Sequence, residues 1–147
     1  MPWEKIFESV ATLASGIFSG AAVYITLVEH PARMKCGTLL AATEFGPSYR
    51  RAAVMQASLA AIGFLTAIIA WFTGSGLWWL VGGLVLVSVI PFTLIVIMPT
   101  NKKLLDPELD RNSDLARRLL TRWGRWHAVR TVLGVISFLV FVALKSN

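Results

Sequence analysis

LWWLVGGLVLVSVIPFTLIVIM, residues Leu77–Met98, runs for 22 positions without one ionisable side chain. At about 1.5 Å of rise per residue, a helix of this length crosses the roughly 30 Å hydrocarbon core of a bilayer. A helix satisfies every backbone N–H and C=O within the segment, which is what a medium without water demands. Pro91 lies inside the run, removes one backbone donor and crowds the preceding turn, so a kink is expected near it.

Outward from this run the pattern repeats. The uncharged turn Thr73-Gly-Ser-Gly76 leads back to a second apolar run, about Ala52 to Phe72, whose one strongly polar side chain is Gln56. A first run, about Ile6 to Val28, holds only Glu8 as a charge. It exceeds the roughly 7 to 15 apolar residues of a secretory signal and is followed by a basic flank, so it reads as a span. The fourth run, about Val129 to Leu144, is short. It is expected to extend backward through Leu115, Leu119, Trp123 and Trp126 as an amphipathic stretch capped near Ser113 or Asp114, with Gly124 a weak point. The expectation is an all-α fold, a four-transmembrane-helix antiparallel bundle forming a single integral membrane domain over residues 1–147, with spans at about 6–28, 52–72, 77–98 and 126–144.

Composition agrees. Apolar residues make up 56% and charged residues 15% of the chain, against about 25% charged in an average soluble domain. The net charge of +6 does not mark a nucleic-acid surface, because the basic residues cluster between apolar runs. Four crossings place both termini on one side with Lys5 and Lys145. The loops on the other side hold Arg33, Lys35, Arg50, Arg51, Lys102, Lys103, Arg111, Arg117, Arg118, Arg122, Arg125 and Arg130. Twelve basic residues against two make the loop side cytoplasmic and the termini extracytoplasmic in a multi-pass membrane protein. Trp71, Trp78 and Trp79 then form an outer aromatic belt, and Tyr49, Trp123 and Trp126 an inner one. Cys36, the single cysteine, excludes an internal disulfide and reads as a small packing residue.

Gly16 and Gly20 have the GxxxG spacing that allows close helix approach, inside the bundle or in a homo-oligomer. Pro31-Ala-Arg-Met-Lys35 after the first span echoes Pro99-Thr-Asn-Lys-Lys103 after the third. Two repeated helical hairpins would produce this echo, and so would the shared chemistry of two helix exits.

The polar residues gather at the loop side. Glu29 and His30 end the first span, Gln56 lies one turn into the second, Asn101 follows the third, and Trp123, His127 and Arg130 open the fourth. The last three are spaced by four and three, one helical stripe that Gly134 continues inward. Pro31 is expected to push His30 out of helical geometry, so that Glu29 and His30 can both turn inward. Polar groups facing a bundle interior at this depth are a candidate site. His127, Arg130, His30 and Asn101 are the catalytic candidates, with Glu29, Gln56 and Trp123 binding substrate.

A histidine can serve as a general base near neutral pH, and an arginine can hold an enolate or phenolate. No nucleotide loop or strong metal motif is present, so no cofactor is expected. Iron on Glu29, His30 and His127 is the alternative, and bis-histidine haem ligation fits less well with histidines near the bilayer edge.

Val28-Glu-His-Pro-Ala32, Tyr49-Arg-Arg-Ala52 with Gln56, Ile90-Pro-Phe-Thr, Met98-Pro-Thr-Asn-Lys-Lys-Leu104 and Trp123-Gly-Arg-Trp-His-Ala-Val-Arg130 resemble the anthrone-oxygenase-like integral membrane proteins. The resemblance covers about residues 10 to 140 and is most specific in the Pro-Thr-Asn-Lys and Trp-x-x-x-His-x-x-Arg runs. It implies a four-helix membrane fold, with His30, Asn101, Trp123, His127 and Arg130 as the matching polar positions. The activity it implies is oxidation of a lipophilic anthrone-like or phenolic substrate that enters from the membrane. The expected partners are membrane lipids and a hydrophobic small molecule. A non-catalytic binder of a lipid or hydrophobic ligand, or an assembly or transport component, is the other reading of the same residues.

Overall fold

The computed structural model describes residues 2–146 and the side chains of 3–146. Four helical spans are long and apolar enough to cross a membrane: Trp3–Lys35, Thr38–Ser75, Leu77–Leu104 and Asp114–Lys145. No strand occurs among the described residues. In chain order the elements are α1 (Pro2–Tyr24), α2 (His30–Lys35), α3 (Thr38–Ala70), α4 (Leu77–Val87), α5 (Val89–Phe92), α6 (Met98–Leu104) and α7 (Asp114–Lys145). α1 packs on α3 and α7, and α4 packs on the same two helices, so the four spans form an up-down-up-down square. Large apolar side chains point outward all round it, among them Leu27, Val54, Phe72 and Ile95, the surface a bilayer would cover.

The helices outrun the apolar segments that betray them. Residues 38–51 carry charges and a Gly-Pro pair and read as part of a loop, yet they form the first turns of α3, with Pro47 inside the helix. Only Cys36 and Gly37 separate α2 from α3, and Gly37 at φ 98° takes a left-handed conformation open to glycine. Cys36 is exposed on this turn, where the sequence reads it as a packing residue. At the start of α7 the expected cap holds, with Ser113 Oγ accepting from the Ala116 N–H at 3.1 Å.

Both Pro-containing helix exits are built the same way. A π-turn, Ile25–Glu29 or Thr93–Ile97, precedes each one, and the residue before the proline donates its N–H five residues back, His30 to Ile25 and Met98 to Thr93. The wider turn removes the clash that a proline ring makes with the carbonyl four residues earlier. Pro31 therefore does not push His30 out of the helix: His30 keeps helical angles, φ −64° and ψ −46°. The echo between the two exits extends to the backbone. In the third span the α-helix is interrupted at Ser88, three residues before Pro91.

Two aromatic assignments need correction. Trp79 is buried and stacks on Phe141, and Trp123 is 6% exposed in the core, so neither is a belt residue. Gly16 and Gly20 also part company. A Cβ on Gly16 would meet the Phe138 ring at 2.9 Å, whereas Gly20 faces open space.

Candidate functional site

α7 presents Trp123, His127 and Arg130 along one stripe, and all three line a small cavity of about 20 Å³. α3 contributes Phe45, Ser48, Tyr49, Ala52, Ala53 and Gln56, the π-turn contributes Ile25, and α2 contributes Arg33. His127 is 2% exposed. It is a core residue, where the sequence places it at the interface.

Its imidazole is held across helices. His127 Nδ1 lies 3.0 Å from Thr26 Oγ1 on the π-turn, and Thr26 Oγ1 lies 2.8 Å from Thr131 Oγ1. Thr131 Oγ1 sits 3.2 Å from the carbonyl oxygens of both Ala22 and His127, either of which can take its single proton. Thr131 then accepts from Thr26, and Thr26 accepts from His127 Nδ1–H. With that direction the ring proton sits on Nδ1 and the Nε2 lone pair is the basic position; the reverse chain, Thr131 to Thr26 to Nδ1, fits the same distances and puts the proton on Nε2.

Arg130 donates from Nη2 to Gln56 Oε1 at 2.7 Å. Among the described residues no carboxylate pairs with it. Arg33 is treated differently: it reaches Glu29 at 2.7 Å and Glu44 at 2.9 Å, and Ser48 also donates to Glu29 at 3.0 Å. The Arg33 guanidinium lies 5.7 Å from the Trp123 ring centre. Trp123 is the hub. It stacks on His127 at 4.8 Å and meets the His30 ring at 5.2 Å and the Phe45 ring at 5.3 Å.

Three of the residues lining the cavity each carry a buried donor without an acceptor, Arg33 Nε, Gln56 Nε2 and Arg130 Nε. Buried donors are normally paired, so three around one small space mark a place shaped for an oxygen or an anion.

Of the residues singled out in the sequence, His127, Arg130, Gln56 and Trp123 meet at this cavity. His30 packs one ring away, against Gly124, where a Cβ would lie 2.5 Å from its Nε2. Gly124 is thus no weak point in α7 but the gap that admits His30. Glu29 is engaged by Arg33 and Ser48 outside the cavity. Asn101 is fully buried, its amide without a protein partner, and does not line the cavity. No group of three or more His, Cys, Asp or Glu side chains is gathered as a metal site among the described residues.

Thr26, Thr131, Arg33 and Tyr49 are the cavity and network residues that sequence reasoning passed over as site members. The available signal was the placement of two threonines in apolar runs and an arginine four residues after Glu29.

These features define a class: a bundle of four membrane-length helices with a buried histidine, a cation lacking a counter-ion, and unfilled donors at one end. Residues 45–140 match the family model described as anthrone oxygenase, and the chain belongs to that family. It is similar to the anthrone oxygenase tpcL of Aspergillus fumigatus, with 28% identity over 142 residues covering 90% of this chain and 88% of that protein. No solved structure gives a significant match.

Proposed function

We propose that the chain is a membrane-embedded oxygenase of a lipophilic anthrone-like or phenolic substrate. The observation that carries this reading is the pairing of a buried imidazole, read with its ring proton on Nδ1 and its Nε2 lone pair basic, with the unfilled donors of Gln56 and Arg130. An anthrone needs both. His127 takes a proton from the activated methylene through one intervening water, and the electron pair delocalises onto the carbonyl oxygen, where the uncompensated Arg130 and the Gln56 N–H stabilise it. The carbanion transfers electrons to dioxygen and a C–O bond forms. The resulting peroxide loses water to leave a new carbonyl, so that anthrone and dioxygen give anthraquinone and water. This route uses no cofactor. Asn101, a catalytic candidate in the sequence, lies outside the cavity, and Gln56 stands beside Arg130 in its place.

Oxygen uptake with anthrone, measured beside metal content for the wild type and His127→Gln, tests the reading. Metal-free uptake that falls by roughly 10² to 10⁴ in the variant supports the base. Uptake unchanged by the substitution removes His127 from the mechanism, and uptake that tracks bound iron replaces it with metal chemistry.

The proposed orientation places the site at the cytoplasmic face. Twelve of the fourteen basic residues lie at that end, and the helix projections support it, because a 33-residue α3 is roughly 50 Å long and carries Arg50 and Arg51 on its extension. A reporter fused after Asn147 should read as extracytoplasmic and one near Asp110 as cytoplasmic. The reverse pattern would invert the assignment.

A further inference from the structure

The inner cavity is too small for the substrate it is meant to serve. About 20 Å³ is room for one water-sized molecule, far short of three fused rings. A second space adjoins it. Between the second and third spans lies a cleft of about 150 Å³, with Ala53, Ala57, Ile90, Thr93, Leu94 and Met98 on its walls and Tyr49 and Arg130 at its inner end. Tyr49, Ala53 and Arg130 line both spaces.

We propose that this cleft binds the ring system of a planar, lipophilic, oxygen-bearing aromatic molecule that enters sideways from the bilayer. This rests on the oxygenase reading above and adds the place and the route. Three observations support it. α3 packs closely along α4 but only lightly on α5 and α6, so the two spans part beyond the interruption at Ser88. α3 faces the gap with the small side chains of Ala53 and Ala57, which leave width for a flat ring. The far wall opens outward, since Leu94 is 58% exposed on the belt that lipid would cover.

The chemistry of the cleft selects its occupant. Its walls are apolar along their length, and Thr93 Oγ1 is spent on the Val89 carbonyl at 2.6 Å. The one charge is Arg130 at the inner end. A neutral lipid tail gains nothing from that cation, whereas a phenol or an anthrone carbonyl places its oxygen within reach of it. A proton leaving such a ligand reaches His127 through the single water-sized position of the inner cavity, a distance that general-base catalysis tolerates.

The test uses the full chain in phosphatidylcholine nanodiscs and 9,10-anthraquinone, which has the shape of the product and is not consumed. Ala57→Phe and Leu94→Trp fill the cleft from opposite walls at exposed positions, and Ile62→Phe, on the face of α3 turned away from Ala53 and Ala57 and 46% exposed in the parent, is the control. Both cleft variants should weaken anthraquinone binding tenfold or more and raise KM for anthrone in oxygen uptake, with the control at the parental value. Wild-type affinity in both variants, or no binding by the wild type, overturns the proposal. Cleft-dependent binding without oxygen uptake keeps the cleft and removes the oxygenase. Uptake with unchanged KM in both variants keeps the oxygenase and removes the cleft.

Discussion

The two ends of the bundle are built on opposite plans. At the end holding the termini, Ala11, Ala67 and Ala70 let the helices approach, and Trp79 stacks on Phe141 at 5.1 Å with the rings 15° apart. Gly82 has no Cβ because one would lie 2.5 Å from the Phe141 ring. The buried Ser137 hydroxyl there donates to the Gly82 carbonyl at 2.8 Å. At the other end Trp123 anchors a comparable aromatic core, but Arg33, Gln56, His127 and Arg130 are set among the apolar groups and leave donors unfilled. Close packing holds the four helices at one end, where Ser75 Oγ is the one buried side-chain polar atom without a partner among the described residues. That fixed frame allows the other end to carry buried polar groups without a protein partner.

The contrast breaks most visibly at Phe141. Phe141→Ala should lower stability by about 3 to 5 kcal/mol, read as a fall in melting temperature. Oxygen uptake by the remaining folded protein should stay near parental. A variant that keeps its melting temperature would show that the packed end does not hold the bundle.

At the site end the expectation is reversed. Arg130→Lys keeps the charge but loses the planar fork, so kcat/KM for anthrone should fall by an amount equivalent to about 1.5 to 3 kcal/mol, the range of hydrogen bonds to charged groups. The melting temperature should hold. A large thermal loss with normal turnover would make Arg130 a structural residue.

Thr26→Val and Thr131→Val remove one hydroxyl each while keeping the branched shape. Each should lower turnover by the equivalent of about 0.5 to 1.5 kcal/mol, and the double variant should lose less than the two combined, because both act through one imidazole. Additive losses would separate the threonines from His127. The smallest effect is expected at Glu44, whose side chain is 41% exposed in its pair with Arg33. Glu44→Gln should shift stability by less than about 1 kcal/mol, and a change in turnover would draw the outer ion pair into the site.

Much of the packed end was legible from sequence, because runs such as Leu77–Met98 admit one solution in a bilayer. The start of α3 was not, since charges and Gly46-Pro47 resemble a loop until the helix is seen to project beyond the apolar zone. At the site, the spacing of Trp123, His127 and Arg130 was sufficient to put them on one stripe. Thr26 and Thr131 were invisible for a physical reason. A threonine in an apolar helix usually bonds its own backbone four residues back, as Thr131 also does. Its second partner lies 105 positions away in the chain, and nothing local announces it. Arg33 was counted as a topology signal because its two carboxylates, Glu29 and Glu44, come together only when the α2–α3 turn folds back.

The π-turn at Ile25–Glu29 has a consequence for ancestry. A π-turn is one residue more than an α-helical turn requires, so it behaves as an insertion that the helix has absorbed. Everything after it is rotated by about 100° relative to a straight helix, the angle one residue occupies at 3.6 per turn. Deleting Leu27 would restore a regular helix and swing His30 and Arg33 away from Trp123 without altering either side chain. Chains that share these residues but differ in length by one at this point therefore should not be aligned without a gap: the gap is the heritable mark of which face the first span turns to the site.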